Sequence, residues 1–123
     1  MSFAARLREI VDNCGGGIAA ALMGNDGIPV EQVSRRGASQ GPLDDIGAAG
    51  AEFGRILEEI RKASDAVAGG AVAETTIVLS RVTLIFRTVD EDTFLVVALQ
   101  PDGNLGKARY LIRRQLHALR LLL

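Results

Sequence analysis

Two runs of this chain, Ile18 to Met23 and Phe94 to Leu99, are apolar at every position over the length of a strand. Successive side chains on a strand point to opposite faces, so a strand apolar on both faces needs cover above and below. These two runs therefore call for a sheet with helices on both sides, and they belong at its centre. Ile28 to Ser34 holds Pro29, Glu31, Gln32 and Ser34, which suits an edge, because proline donates nothing to a ladder. Val72 to Leu79 carries Glu74, Thr75 and Thr76 and reads as the opposite edge. Val82 to Val89 fits between that edge and the second central strand. Gly24-Asn25-Asp26-Gly27 is turn chemistry and makes a hairpin of the first two strands.

Helical periodicity fills the rest. Phe3, Leu7, Ile10, Val11 and Cys14 form an apolar stripe closed by Gly15-Gly16-Gly17. A long helical pattern has Pro42 just inside its start, with Asp44 and Asp45 at the positive end of its dipole. It runs through Ile46, Phe53, Ile56, Leu57, Ile60 and Val67 to Gly69-Gly70. From Asn104 the period is helical again, with Leu105, Ala108, Ile112, Leu116 and Leu119 on one stripe. The predicted order is α-β-β-α-β-β-β-α. The expected fold is α/β (α+β), with a mostly antiparallel five-stranded sheet ordered 2-1-5-4-3. The first and last helices cover one face and the middle helix the other. At 123 residues, the expectation is one domain over residues 1–123.

Composition narrows the function. The net charge of −1 supplies no global field for gripping nucleic acid. Arg6, Arg8 and Glu9 interrupt the N-terminal segment, which argues against a secretory signal. No apolar run approaches the roughly 18 residues that a spanning helix needs, so no membrane insertion is expected. One cysteine allows no internal disulfide and fits a reducing compartment, the cytoplasm.

The element order, with Gly24-Asn25-Asp26-Gly27-Ile28-Pro29-Val30 at the first turn, resembles the Roadblock/dynein light-chain family. Phe94-Leu95-Val96-Val97-Ala98-Leu99, followed by Pro101-Asp102-Gly103-Asn104-Leu105-Gly106-Lys107-Ala108-Arg109, resembles its bacterial MglB-like branch, which includes cell-polarity proteins. The likeness covers nearly the whole chain. It implies a homodimer whose middle helices lie side by side and whose third strands join, which places Glu74, Thr76 and Val78 at the seam. It also implies binding to a Ras-like small GTPase. In MglB-type members that means activating GTP hydrolysis by reshaping the GTPase's own site, without an inserted catalytic residue. Other Roadblock proteins are scaffolds or motor subunits, which is the alternative for this chain.

The residues carry a reading of their own. Gly47, Gly50 and Gly54 share one face of the middle helix. Each interior glycine costs about 0.8–1 kcal/mol relative to alanine, so close approach by another backbone has to offset it. Either a second helix at a dimer interface or the chain's own sheet would do so. Ala48, Ala51, Glu52 and Arg55 lie on another side of the helix, small and flat at first and charged beyond. That surface is the expected partner-binding site. The alternative is a solvated face. The last helix concentrates Lys107, Arg109, Arg113, Arg114 and Arg120, which reads as a solvated basic face, with a nucleic-acid or acidic-lipid patch as the rival meaning.

No catalytic, cofactor or metal site is expected. Gly37-Ala38-Ser39-Gln40-Gly41 matches the G-x-S-x-G elbow of serine hydrolases, but a nucleophilic serine needs a histidine within hydrogen-bond reach. The single histidine, His117, is expected on the outer side of a helix on the opposite sheet face. Gly103 to Ala108 lacks the Ser or Thr that follows the lysine of a phosphate loop. Gly15-Gly16-Gly17 precedes a strand, whereas a phosphate cradle opens a helix. One cysteine and one histidine make no ordinary zinc site. Asp90-Glu91-Asp92 reads as a turn, and Cys14 as inert core.

Overall fold

The computed structural model describes residues 2–35 and 45–123. Its elements are α1 (Phe3–Asn13), β1 (Gly17–Gly24), β2 (Pro29–Ser34), α2 (Ile46–Ala66), β3 (Glu74–Val78), β4 (Thr83–Thr88), β5 (Thr93–Leu99) and α3 (Leu105–Leu122). The strands form a five-stranded sheet ordered β2-β1-β5-β4-β3, antiparallel at every step. Strand composition accounts for that order. Every residue of β5 is buried, and β1 is nearly so. The polar strands β2 and β3 lie at the rims. Pro42, Asp44 and the Gly37–Gly41 segment with Ser39 fall outside the described residues.

The sheet separates two cores. On one side Ala20, Leu22, Ile85, Leu95, Val97 and Leu99 pack with Leu7 and Ile10 of α1 and with Ile112, Leu116 and Leu119 of α3. On the other, Ala19, Ala21, Met23, Leu84, Phe86, Phe94, Val96 and Ala98 meet Ile46 and Leu57 of α2. The first face has two helices over it and the second has one. Cys14 is fully buried on the two-helix side, and burial pushes its thiol pKa above the ordinary value.

Each helix opens on a side-chain cap, which satisfies an N–H that has no intrahelical partner. The Ser2 hydroxyl accepts from the Ala5 N–H, Asp45 Oδ1 from the Ala48 N–H and Asn104 Oδ1 from the Lys107 N–H. The end of α2 differs from expectation. Gly69 N–H donates to the Ser64 carbonyl and Ala68 N–H to that of Asp65, the paired bonds of a Schellman ending. The left-handed position falls on Ala68, at φ 54°, one residue before the glycine pair.

Two turns are locked together at one end of the sheet. Asn25 N–H donates to the Asp92 carbonyl at 2.9 Å, and Asn25 Nδ2 donates to the Glu91 carbonyl at 2.7 Å. Asp90 accepts from the Thr93 hydroxyl and from the Asp92 N–H. Those bonds hold its carboxyl below the usual carboxylate range. The acidic run is thus a structural turn that clamps the β1–β2 hairpin.

Candidate functional site

The surface around α2 is where the fold leaves most undone. Its glycines face the sheet of their own chain. A Cβ added at Gly47 would stand 2.7 Å from Pro29 Cγ, and one at Gly50 would stand 3.1 Å from Met23 Cγ and 3.2 Å from Val96 Cγ1. At Gly54 the nearest atom is Phe94 Cζ, at 3.4 Å. The sequence left two roles open for these glycines, and their place is the seat of α2 on β1, β2 and β5. Of the two roles, packing against the chain's own sheet is the one these contacts display: Gly47 and Gly50 are buried and face β1, β2 and β5.

Seating the helix this closely leaves two exposed flanks. One faces the β1–β2 turn, where Ala51 Cβ lies 3.6 Å from the position a Gly27 Cβ would take. Here a groove of about 670 Å³ runs between helix and turn. Gly50, Gly54 and Phe94 form part of its lining, along with Asn25, Asp26 and Ala48. Ala48, Ala51, Glu52 and Arg55, the residues expected to bind a partner, all border this groove. Small side chains keep it open. Its charges are largely self-neutralised, because Arg55 pairs with Glu52 and Arg61 with Glu58 along the helix. The first pair is well exposed and contributes little stability.

The other flank is apolar. Ala49, Phe53, Ile56, Ile60, Ala63 and Val67 recur at alternating spacings of four and three, the a/d seam of a helix that meets another helix. Ile56 is 51% exposed and Val67 77%. Phe53 leans inward against Phe86, with ring centroids 6.0 Å apart. The periodicity stood in the sequence, but separating this seam from the sheet-facing stripe requires knowing which residues the sheet covers.

Beyond this flank lies β3, the rim of the sheet. Val78 is exposed, whereas Glu74 and Thr76 are partly buried and engaged within the chain. Arg109 of α3 places Nε 3.1 Å from Glu74 Oε2, an ion pair without hydrogen-bond alignment. Its Nη2 donates to Thr76 Oγ1 at 3.0 Å. An arriving strand would therefore meet the main chain of Glu74 and Thr76 more than their side chains. His117 is exposed on α3, across the sheet from α2. Among the described residues no group of three or more His, Cys, Asp or Glu is placed to hold a metal ion, and no helix is long and apolar enough to cross a membrane.

Comparison with known proteins places this geometry. The chain is similar to MglC from Myxococcus xanthus, at 33% identity over 100% of both chains with a TM-score of 0.70. A Roadblock/LC7 domain from Streptomyces avermitilis shares 17% identity, with 99% of this chain and 98% of that one covered, at a TM-score of 0.80. An MglB structure with a tetrameric arrangement shares 22% identity over 95% of this chain and 84% of that one, at 0.75. No protein-family model matches the chain. No curated protein matches it either.

Proposed function

Because this chain belongs to the Roadblock family, we propose that it is a homodimeric, non-enzymatic regulator that binds a Ras-like small GTPase and modulates its GTP hydrolysis. On this reading residues 1–123 act as one cytoplasmic Roadblock-like domain, with cell polarity the process served. The observation that carries the reading is the unfinished α2. Its apolar seam would cover Ile56, Ile60 and Val67 against the same seam of a second copy. Full burial of an aliphatic side chain of this size is worth about 1.5–3 kcal/mol. Val78 and the β3 main chain would extend the contact. The tetrameric arrangement of the MglB neighbour supports self-association. The groove bordered by Ala48, Ala51, Glu52 and Arg55 would remain open on each copy to receive the GTPase.

A scaffold that binds partners without altering turnover is the second reading. It is left open by identity: GTPase activation is implied for MglB-type members, and this chain shares 22% with MglB against 33% with MglC. Single-turnover GTP hydrolysis by the Ras-like GTPase encoded nearest this gene separates the two. Acceleration that is lost in Ala48→Arg supports the regulator, since Ala48 is exposed and a long cation there obstructs the groove. Complex formation without acceleration supports the scaffold. Unaltered binding by a folded Ala48→Arg variant would remove the groove from both readings.

A further inference from the structure

The helical face opposite α2 is charged in a way that the GTPase reading does not use. Helix α3 contains five bases, Lys107, Arg109, Arg113, Arg114 and Arg120, and no acid over its 18 residues. Two of the five are engaged: Arg109 with β3, and Arg120 Nε with the Val89 carbonyl at 2.6 Å. Lys107, Arg113 and Arg114 are exposed and make no ion pair among the described residues. Between α1 and α3 lies a crease of about 250 Å³ bordered by Arg6, Glu9, Arg114 and Gln115. Within it Arg6 Nη1 donates to Gln115 Oε1 at 3.3 Å, while Arg6 Nε is buried without a hydrogen-bond partner among the described residues. Glu9 and Asp12 on α1 are the acids of this layer, leaving it net basic.

Apolar groups stand among these bases. Tyr110 is exposed, Leu121 is 73% exposed and Leu122 40%. Free guanidinium groups, a tyrosine and leucines on one convex helix face are what the headgroup level of a bilayer accommodates, with cations at the phosphates and leucines in the acyl boundary. Single-stranded nucleic acid would call for stacking aromatics, and Tyr110 stands alone on α3. An acidic peptide would call for bases gathered in a groove, whereas the α1–α3 crease takes in Arg114 but neither Lys107 nor Arg113 and is bordered by Glu9 as well.

We propose that the outer face of α3, with the Arg6–Arg114 crease, adsorbs the protein to anionic phospholipid headgroups, parallel to the surface and without spanning it. Each cation near such a surface strengthens binding about fivefold, so the three unpaired bases together supply about a hundredfold. The effect fades as salt shortens the screening length.

Vesicle co-sedimentation at low salt tests this with the full chain. Vesicles of phosphatidylcholine containing 30% phosphatidylglycerol should bind it, and pure phosphatidylcholine should not. Binding should fall steeply by 0.5 M salt. Arg113→Gln with Arg114→Gln should weaken it about thirtyfold with the circular dichroism melt unchanged, and Leu121→Ser should weaken it further. Arg55→Gln with Lys62→Gln, on the other side of the molecule, should leave it intact. Failure to bind the anionic vesicles, equal loss in the Arg55/Lys62 variant, or equally tight binding of polyglutamate or an RNA duplex would overturn the proposal.

Discussion

Replacing Gly50 with alanine tests how α2 lies on the sheet. The added Cβ would stand 3.1 Å from Met23 Cγ, 3.2 Å from Met23 Sδ and 3.2 Å from Val96 Cγ1. Met23 and Val96 are both fully buried in central strands, so relief requires a new Met23 rotamer or a lifted helix. Overpacking of this kind costs about 1–3 kcal/mol. Helix propensity returns about 0.8–1 kcal/mol, leaving Gly50→Ala destabilised by about 1 kcal/mol. Gly54 is the internal control. Its Cβ would meet Phe94 Cζ at 3.4 Å, an ordinary contact, so Gly54→Ala should gain the propensity term of about 0.8–1 kcal/mol unopposed. The same substitution one turn apart thus changes sign, with a gap of about 2 kcal/mol. Urea unfolding followed by circular dichroism measures it at fixed protein concentration, because dimerisation would make stability concentration-dependent. If Gly50→Ala stabilises as much as Gly54→Ala, the helix does not sit where the sheet-facing glycines imply. If Gly50→Ala keeps full stability but turns a dimer into a monomer, these glycines serve a second helix after all.

Four further positions give expected outcomes. Ile56→Arg should leave the monomer folded, because the side chain is half in solvent, and should shift sedimentation velocity toward a smaller species; an unchanged profile would place self-association elsewhere. Ala68→Gly should stabilise the chain by about 0.5–1 kcal/mol, since Ala68 holds φ 54° in a conformation that glycine adopts without a Cβ penalty, and a melting point unchanged or lowered would contradict the Schellman ending. Asn104→Ala should cost about 1 kcal/mol by removing the cap on Lys107 N–H, while Asn104→Asp keeps it. Cys14, buried with its thiol pKa raised by burial, should resist dithiobis-nitrobenzoate until the protein unfolds. The folded state holds that proton more tightly than the unfolded one, so this thiol's contribution is fully present below its unfolded pKa and lost as pH rises through the folded value. Cys14→Ala should flatten the alkaline loss of stability.

Much of the architecture could be read from residue order alone. Phe94 to Leu99 is apolar on both faces and became the strand buried at every position. Pro29 and the Glu74–Thr76 run marked the two rims. What escaped was relational. The spacing of Gly47, Gly50 and Gly54 puts them on one face, but spacing cannot say whether that face meets a sheet or another helix. Met23 and Val96 decide it, and they lie 27 and 46 residues away along the chain. The groove beside Ala48 and Ala51 needs the β1–β2 turn to border it, and that turn is held in place by Asn25 reaching the carbonyls of Glu91 and Asp92. The seam through Ile56 and Val67 has a heptad period, which becomes visible only after the sheet-facing residues are set aside.

Arg109 limits what the rim of the sheet can recognise. With Glu74 and Thr76 held from behind by its guanidinium, the strand offers a newcomer a row of amides and carbonyls with few side chains to discriminate one sequence from another. In the proposed dimer, fidelity in pairing would then fall to the helix, where Phe53, Ile56 and Ile60 can reject a poorly matched neighbour by shape. A chain carrying Arg109→Met would free those two side chains, and its edge should become choosier or stickier while the helical seam stays unaltered.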